Sequence, residues 1–334
     1  MTEDNANPPL VGLTEIRAAA VRLAGVTVRT PLLPFGPPDR RGLLKAECLQ
    51  PIGAFKLRGA YNAIAQLSSD ERARGIVAHS SGNHAQGVAR AARLLGVHAV
   101  VVMPSDAPAV KRDRVAADGA EIVTVGPLSG EREAMAERLA TERGLVPIPP
   151  YDDDRIIAGQ GTCGLEIADD LPDLAAVLVP IGGGGLASGV AAAVRALRPS
   201  ARIIGVEPEL GADARDSLAA GHIVRWDGAL VTRTIADGTR SQAIGVRPFA
   251  HLSRLLDRIV TVSEVEIAAA VRLAAEESRL VVEPSGALSI AALRFRAAEA
   301  GIEAPGGPVV AIVSGGNVDP ALYRELLASP IPGA

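Results

Sequence analysis

The stretch AAVLVPIGGGGLASGVAAAVRAL, residues 175–197, decides the fold class. AAVLVPI is apolar at every position, the pattern of a strand buried on both faces. After four consecutive glycines an Ala-rich, small-residue helix follows. A strand that passes through a glycine turn directly into a helix is the first half of a βαβ unit. Working outwards, the alternation recurs. GIVAHS (75–80) leads into NHAQGVARAARLLG, HAVVVMP into PAVKRDRVAADG, and AEIVTVG into a helix near 130–143. Downstream come ARIIGVEP (201–208) and PVVAIVSG (308–315). Wholly apolar strands separated by helices predict an α/β fold of two doubly wound, mainly parallel sheets. Residues 71–147 form a compact run of such units and are expected to be a small domain. Residues 1–70 and 148–334 then build a larger domain from both ends of the chain.

Composition removes several classes of function. Of 334 residues 48% are hydrophobic and 22% charged, the balance of a soluble globular protein. Aromatic residues at 2% argue against stacking platforms for single-stranded nucleic acid, and a net charge of −4 offers no basic footprint for a duplex. The uncharged run Leu174 to Val194 is long enough to span a bilayer, but Pro180 and Gly182 to Gly185 divide it into strand and helix, so no membrane span is expected. Cys48 and Cys163 are far apart and lack metal-ligand spacing, which fits a reducing compartment. The start, MTEDNANPPL, is polar and acidic rather than signal-like, so the expectation is a cytoplasmic protein.

Three loops are placed for chemistry. In Gly182-Gly183-Gly184-Gly185-Leu186-Ala187-Ser188-Gly189, glycines let backbone N–H groups crowd an anion, and the helix N-terminus adds a favourable dipole. Phosphate is the natural ligand, and which phosphate remains open. Gly182-x-Gly184-x-x-Ala187 satisfies the degenerate dinucleotide fingerprint, with Glu207 at about the distance of a ribose-binding acid, so a nicotinamide-dependent dehydrogenase competes. No G-x-x-x-x-G-K-[ST], G-x-S-x-G or H-E-x-x-H occurs. Ser80-Ser81-Gly82-Asn83-His84 follows one apolar strand and opens a helix; it suits a carboxylate or phenolic oxygen, or serves only as a helix cap. Ser314-Gly315-Gly316-Asn317 again lies between strand and helix.

A fourth lead is Lys56. The chain has 34 basic residues, of which only Lys45, Lys56 and Lys111 are lysines. A lysine amine can lose its proton and form an imine; a guanidinium stays charged. Lys56 follows Pro51, Gly53 and Phe55 at an expected helix start, where the dipole and apolar neighbours both favour the neutral amine.

Phe55-Lys56-Leu57-Arg58-Gly59-Ala60, Ser81-Gly82-Asn83-His84, Gly182–Gly185 and Ser314-Gly315-Gly316-Asn317, with AGQGT (158–162) and TIADG (234–238), resemble in order the fold-type II pyridoxal-phosphate enzymes. The similarity is greatest to the serine/threonine dehydratase and serine racemase family, and it runs from about residue 14 to 325. It implies the tryptophan-synthase-β-like architecture and a homodimer. It implies that Lys56 binds pyridoxal 5'-phosphate covalently, and that Gly182, Gly183, Gly184, Gly185 and Leu186 form the phosphate cup. Asn83 is then bonded to the cofactor's phenolic oxygen, Phe55 lies against its ring, and Ser314 faces the pyridine nitrogen. Ser80, Ser81, Asn83 and His84 would hold the substrate carboxylate. The implied reaction is β-elimination of L-serine and L-threonine to a 2-oxo acid and ammonia. Lys56 takes the α-proton and the cofactor phosphate protonates the departing hydroxyl.

Ser81 stands where many threonine dehydratases carry alanine and where serine racemases carry an acid/base on the opposite face, so racemisation is an alternative. Glu207, Gly211 and Asp213 in EPELGAD resemble the divalent-cation site of the racemase-like branch, suited to Mg²⁺ or Ca²⁺. Arg132 resembles a position that reaches a dicarboxylate, which keeps 3-hydroxyaspartate as a further substrate. Ala54 departs from the usual Ser or Thr before Phe-Lys. No added regulatory domain is expected in a chain that ends at 334, nor feedback control by isoleucine.

Overall fold

The computed structural model describes residues 9–36, 42–80, 82–107, 109–126, 129–304 and 306–333. Among the described residues, ten strands form two sheets. They are β1 (Leu32–Phe35), β2 (Gly42–Lys45), β3 (Ile76–His79), β4 (Ala99–Pro104), β5 (Glu121–Val125), β6 (Val146–Pro147), β7 (Ala176–Pro180), β8 (Arg202–Pro208), β9 (Arg258–Val262) and β10 (Val309–Ile312). The larger sheet has the order β1-β2-β10-β7-β8-β9 and the smaller β5-β4-β3-β6. All pairings are parallel except β1 with β2.

Alternate residues of each central strand enter different layers of core. In β7, Ala176 and Leu178 pack with helices Glu264–Ser278 and Pro284–Phe295. Val177 and Val179 face the opposite way, onto helices Asp154–Asp170 and Gly185–Leu197. The smaller sheet repeats the arrangement: Val77, Val100 and Val102 meet helix Ser129–Arg143, while Ile76 and Ala78 meet helix Asn83–Leu95. Burial on both faces is why these strands read as unbroken apolar runs. Each buried Val, Leu or Ile contributes roughly 1.5–3 kcal/mol.

The strand orders locate the site. In the smaller sheet β3–β4–β5 proceed outwards on one side and β6 joins β3 on the other, so the order reverses at β3. In the larger sheet β7–β8–β9 run one way and β10 lies on the other flank of β7. In open α/β sheets ligands bind beyond the carboxyl ends of strands at such switch points. The loops after β3, β7 and β10 are the three that the sequence marks.

One buried cluster braces this region. Arg58, two residues after Lys56, pairs through Nε with Glu47 at 2.8 Å and through Nη1 with Glu166 at 2.7 Å; Lys45 Nζ reaches the other Glu166 oxygen at 2.5 Å. Arg58 Nη1 also donates to Thr162 Oγ1 at 3.0 Å. Two cations meet two carboxylates. Burial pushes the Glu47 carboxyl up, but Arg58, with Thr30 and Lys45, carries it below the usual range. The cluster locks helix Lys56–Ala65 onto helix Asp154–Asp170 and the short turn after β2.

Candidate active site

A cavity of ≈ 230 Å³ opens where the two sheets' carboxyl ends face each other. Of the residues singled out from the sequence, Phe55, Lys56, Ser80, Asn83, His84, Arg132, Gly182, Gly183, Gly184, Gly185, Leu186 and Ser314 all line it. Glu207, Gly211 and Asp213 lie elsewhere, and Ser81 falls outside the described residues.

Lys56 is the first residue of its helix. Its Nζ donates to the Pro150 carbonyl at 2.7 Å and lies 5.2 Å from the Phe55 ring centroid. Protein packs densely around the amine, and burial lowers its pKa to about 8. The loop that carries it is stitched to the loop after β10. The Phe55 amide donates to Ser314 O at 3.1 Å, Gly316 N to Gly53 O at 2.9 Å, and Ala54 bridges to Gly315. Ala54 is fully buried in that bridge, so the departure at this position leaves packing intact.

Helix Gly185–Leu197 begins at the glycine loop, with Gly184 at φ +91° as its N-cap. That left-handed conformation suits glycine alone, and a Cβ there would also meet Pro248 at 2.6 Å. A Cβ on Gly183 would overlap the Tyr151 ring, which lies flat on the loop. Free first-turn amides of the helix leave donors for an anion at this wall.

The Asn83 carboxamide is fixed from both ends: Nδ2 donates to Glu283 Oε1 at 2.5 Å, and Oδ1 accepts from Asn317 Nδ2 at 2.8 Å. Its second N–H remains for a ligand. Burial, then repulsion from Asp237, raises the Glu283 carboxyl to about 7. Ser80 Oγ accepts from the Gly82 amide at 3.2 Å. His84 Nε2 bonds to Ile148 O at 3.0 Å, and burial drives its pKa down to about 3, so the ring is neutral and donates there. Ser314 Oγ lies 3.4 Å from Ser285 O, an interaction weak enough to exchange for a ligand. Arg132 is half-buried, and burial lowers its pKa.

Among the cavity residues to which the sequence reading gave no site role are Lys111, Tyr151, Asp237 and Glu283. Lys111 Nζ pairs with Asp237 at 2.8 Å across the mouth. Its signal was available, because it is one of only three lysines in an arginine-rich chain.

Residues 24–315 match the family described as pyridoxal-phosphate dependent enzyme. The chain belongs to that family. The enzyme is 43% identical over 298 residues to an L-threo-3-hydroxyaspartate ammonia-lyase of Saccharomyces cerevisiae, with 88% of this chain and 89% of the relative covered. It is 40% identical over 319 residues to a serine racemase of Oryza sativa subsp. indica, covering 93% and 92%. Among solved structures, the processed form of threonine deaminase isoform 2 from Solanum lycopersicum superposes with a TM-score of 0.86 at 36% identity, covering 97% of this chain and 97% of that one. The architecture is the tryptophan-synthase-β-like, fold-type II arrangement.

The residues fit pyridoxal phosphate. A lysine amine of lowered pKa, a glycine-lined helix start and an oriented carboxamide share one wall of the cavity. The dinucleotide reading fails on geometry. Glu207 is fully buried away from the cavity, its carboxylate accepting from the amides of Ala214 at 3.0 Å and Arg215 at 2.8 Å, so it is not presented to a ribose. None of these relatives is a dehydrogenase.

The expected cation ligands fit in part. Burial and neighbouring Asp213 push the Glu207 carboxyl well up, and burial raises Asp213 to about 7. Both Asp213 oxygens are buried without a well-formed hydrogen bond. Among the described residues, no three His, Cys, Asp or Glu side chains cluster as a metal would need. Any cation would rest on two carboxylates, a carbonyl and water. Also among the described residues, no helix is long and apolar enough to cross a membrane.

Proposed function

We propose that the enzyme is an ammonia-lyase for β-hydroxy-α-amino acids, converting L-serine, L-threonine and 3-hydroxyaspartate to a 2-oxo acid and ammonia. The observation that carries this is the Lys56 amine, held at a pKa of about 8 on one cavity with the glycine loop and Asn83. Bound pyridoxal phosphate supplies the electron sink that makes the α-proton acidic. Lys56 would hold that group covalently, and its Nζ, once free, would take the α-proton. The Ser80–His84 loop, at the start of helix Asn83–Leu95, receives the α-carboxylate, with the helix dipole favouring its charge. Asn83 would hold the cofactor's phenolic oxygen and Ser314 its pyridine nitrogen. The β-hydroxyl takes up a proton and leaves as water, and hydrolysis of the released enamine, through its imine, gives the 2-oxo acid and ammonia.

The half-buried Arg132 on the cavity wall supports 3-hydroxyaspartate as a substrate, in keeping with the names of similar enzymes. Ammonia release from the three hydroxy amino acids is the test; an Arg132→Ala variant with unchanged turnover of 3-hydroxyaspartate would remove that substrate's assignment.

Serine racemisation is a second reading, favoured by the serine racemases among the relatives. Its proton donor would be Ser81. Ser81→Ala should then abolish racemisation and spare elimination; racemisation that persists rejects the role. We also infer a divalent cation at Glu207, Gly211 and Asp213, a homodimer, a cytoplasmic setting, and a small unit of residues 71–147 set against 1–70 with 148–334. The buried Asp213 oxygens support the first of these, and the split between the two sheets supports the last.

A further inference from the structure

Tyr151 follows directly after Pro150, whose carbonyl holds the Lys56 amine, and it lines the cavity. Gly183 lacks a side chain where the Tyr151 ring lies, so ring and loop fit face to face; a Cβ added to Gly185 would lie 3.0 Å from the Tyr151 Cα. The ring's position is therefore fixed by its neighbours. Among the described residues its hydroxyl makes no hydrogen bond to protein, although the residue is largely enclosed. Burial, reinforced by Glu133, Asp152 and Asp213, raises its pKa to about 12 against an opposing effect of Arg225. The phenol thus stays a neutral donor throughout the working range of pH.

The charged groups that it senses mark its place. Glu133 is next to Arg132 on helix Ser129–Arg143, and Arg225 also acts on the phenol; all three line the cavity with Tyr151. A substrate anchored beside Lys56 would share this cavity with Arg132 and Tyr151.

We propose that Tyr151 is a specificity-determining residue whose phenol O–H donates a hydrogen bond to the distal carboxylate of a four-carbon substrate, alongside Arg132. L-Serine and L-threonine offer no acceptor there. The inference rests on the ammonia-lyase reading above and adds a residue to it. A hydrogen bond to a charged acceptor corresponds to about a tenfold effect or more.

The test is Tyr151→Phe in the holoenzyme, which keeps the ring against Gly183 and removes only the hydroxyl. Expected are a fall of about tenfold or more in kcat/KM for L-threo-3-hydroxyaspartate, carried mainly by KM, and changes of less than about threefold for L-serine and L-threonine. The dissociation constant of succinate, a dicarboxylate that cannot react, should weaken by a similar factor, with the visible cofactor band and Tm unchanged. Equal losses on all three substrates, no loss on any, or loss of the cofactor band would overturn the proposal. Wild-type enzyme that acts on serine and threonine but not on 3-hydroxyaspartate also overturns it, while leaving elimination in place. Wild-type enzyme that releases ammonia from none of them removes the underlying reading instead.

Discussion

Lys56 Nζ is held 2.7 Å from the carbonyl oxygen of Pro150, ninety-four residues further along the chain. This bond parks the amine on the cavity wall at the start of the segment that packs against the glycine loop. Among the described residues the amine has one acceptor, the Pro150 carbonyl, and no carboxylate partner, and burial is the cause of its lowered pKa. That combination favours the neutral, nucleophilic form.

The first prediction concerns pH. Covalent capture of added pyridoxal phosphate by cofactor-free protein should accelerate about tenfold per pH unit below about 8 and level off above it. Because the folded pKa lies below the unfolded 10.5, the folded chain releases its proton first. Cofactor-free stability should therefore rise from pH 8 to 10.5. Stopped-flow absorbance and denaturation at several pH values measure the two effects. Capture that does not vary with pH rejects the assignment.

Gly184 should be far less replaceable than Gly182. Its φ of +91° and the nearby Pro248 ring make Gly184→Ala costly in both backbone and packing, by about 2–4 kcal/mol together. Gly182, with no positive φ and its nearest contact at 3.1 Å, should accept alanine with a smaller loss. Equilibrium dialysis of the cofactor and denaturant midpoints rank the two variants; equal effects contradict the geometry.

Arg58→Met leaves Glu47 and Glu166 facing each other without their shared cation, at an expected cost of about 3–5 kcal/mol. Arg58→Lys should recover only part of it, because one ammonium cannot replace the fork that joins both carboxylates. Urea midpoints of the two variants are the check, and a cost below about 1 kcal/mol for Arg58→Met would contradict the cluster's role.

A divalent cation at Asp213 should act first on stability. Millimolar Mg²⁺ or Ca²⁺ should raise Tm by a few degrees and chelation should reverse it, because a ligand that binds only the folded state stabilises it. Asp213→Asn should remove that response and leave Lys56 chemistry in place. Calorimetry with each ion decides; an unaltered response in Asp213→Asn would place the cation elsewhere.

How much of this was written legibly in the chain differs from residue to residue. The loops after β3, β7 and β10 were readable because each interrupts a fully apolar strand just before a helix. Lys56 stood out against arginine, and the same contrast applied to the other two lysines. Lys45 is fully buried on Glu166 and Lys111 spans the cavity mouth to Asp237. The strands β1, β2, β6 and β9 gave little signal, at four, four, two and five residues. β1 and β2 take their place by pairing with each other and with β10, which local sequence does not encode. Glu283 reads only as the residue before a helix-starting proline. Its site role depends on Asn83, two hundred residues away, being brought to it by topology. Tyr151 escaped for the same reason: its meaning lies in Gly183.

The most direct measurement is borohydride reduction of the purified enzyme followed by mass spectrometry of its peptides. The account predicts a visible absorption band that disappears on reduction and a phosphopyridoxyl adduct on Lys56. An adduct confined to another lysine, or protein that stays colourless after pyridoxal phosphate is added, would contradict it.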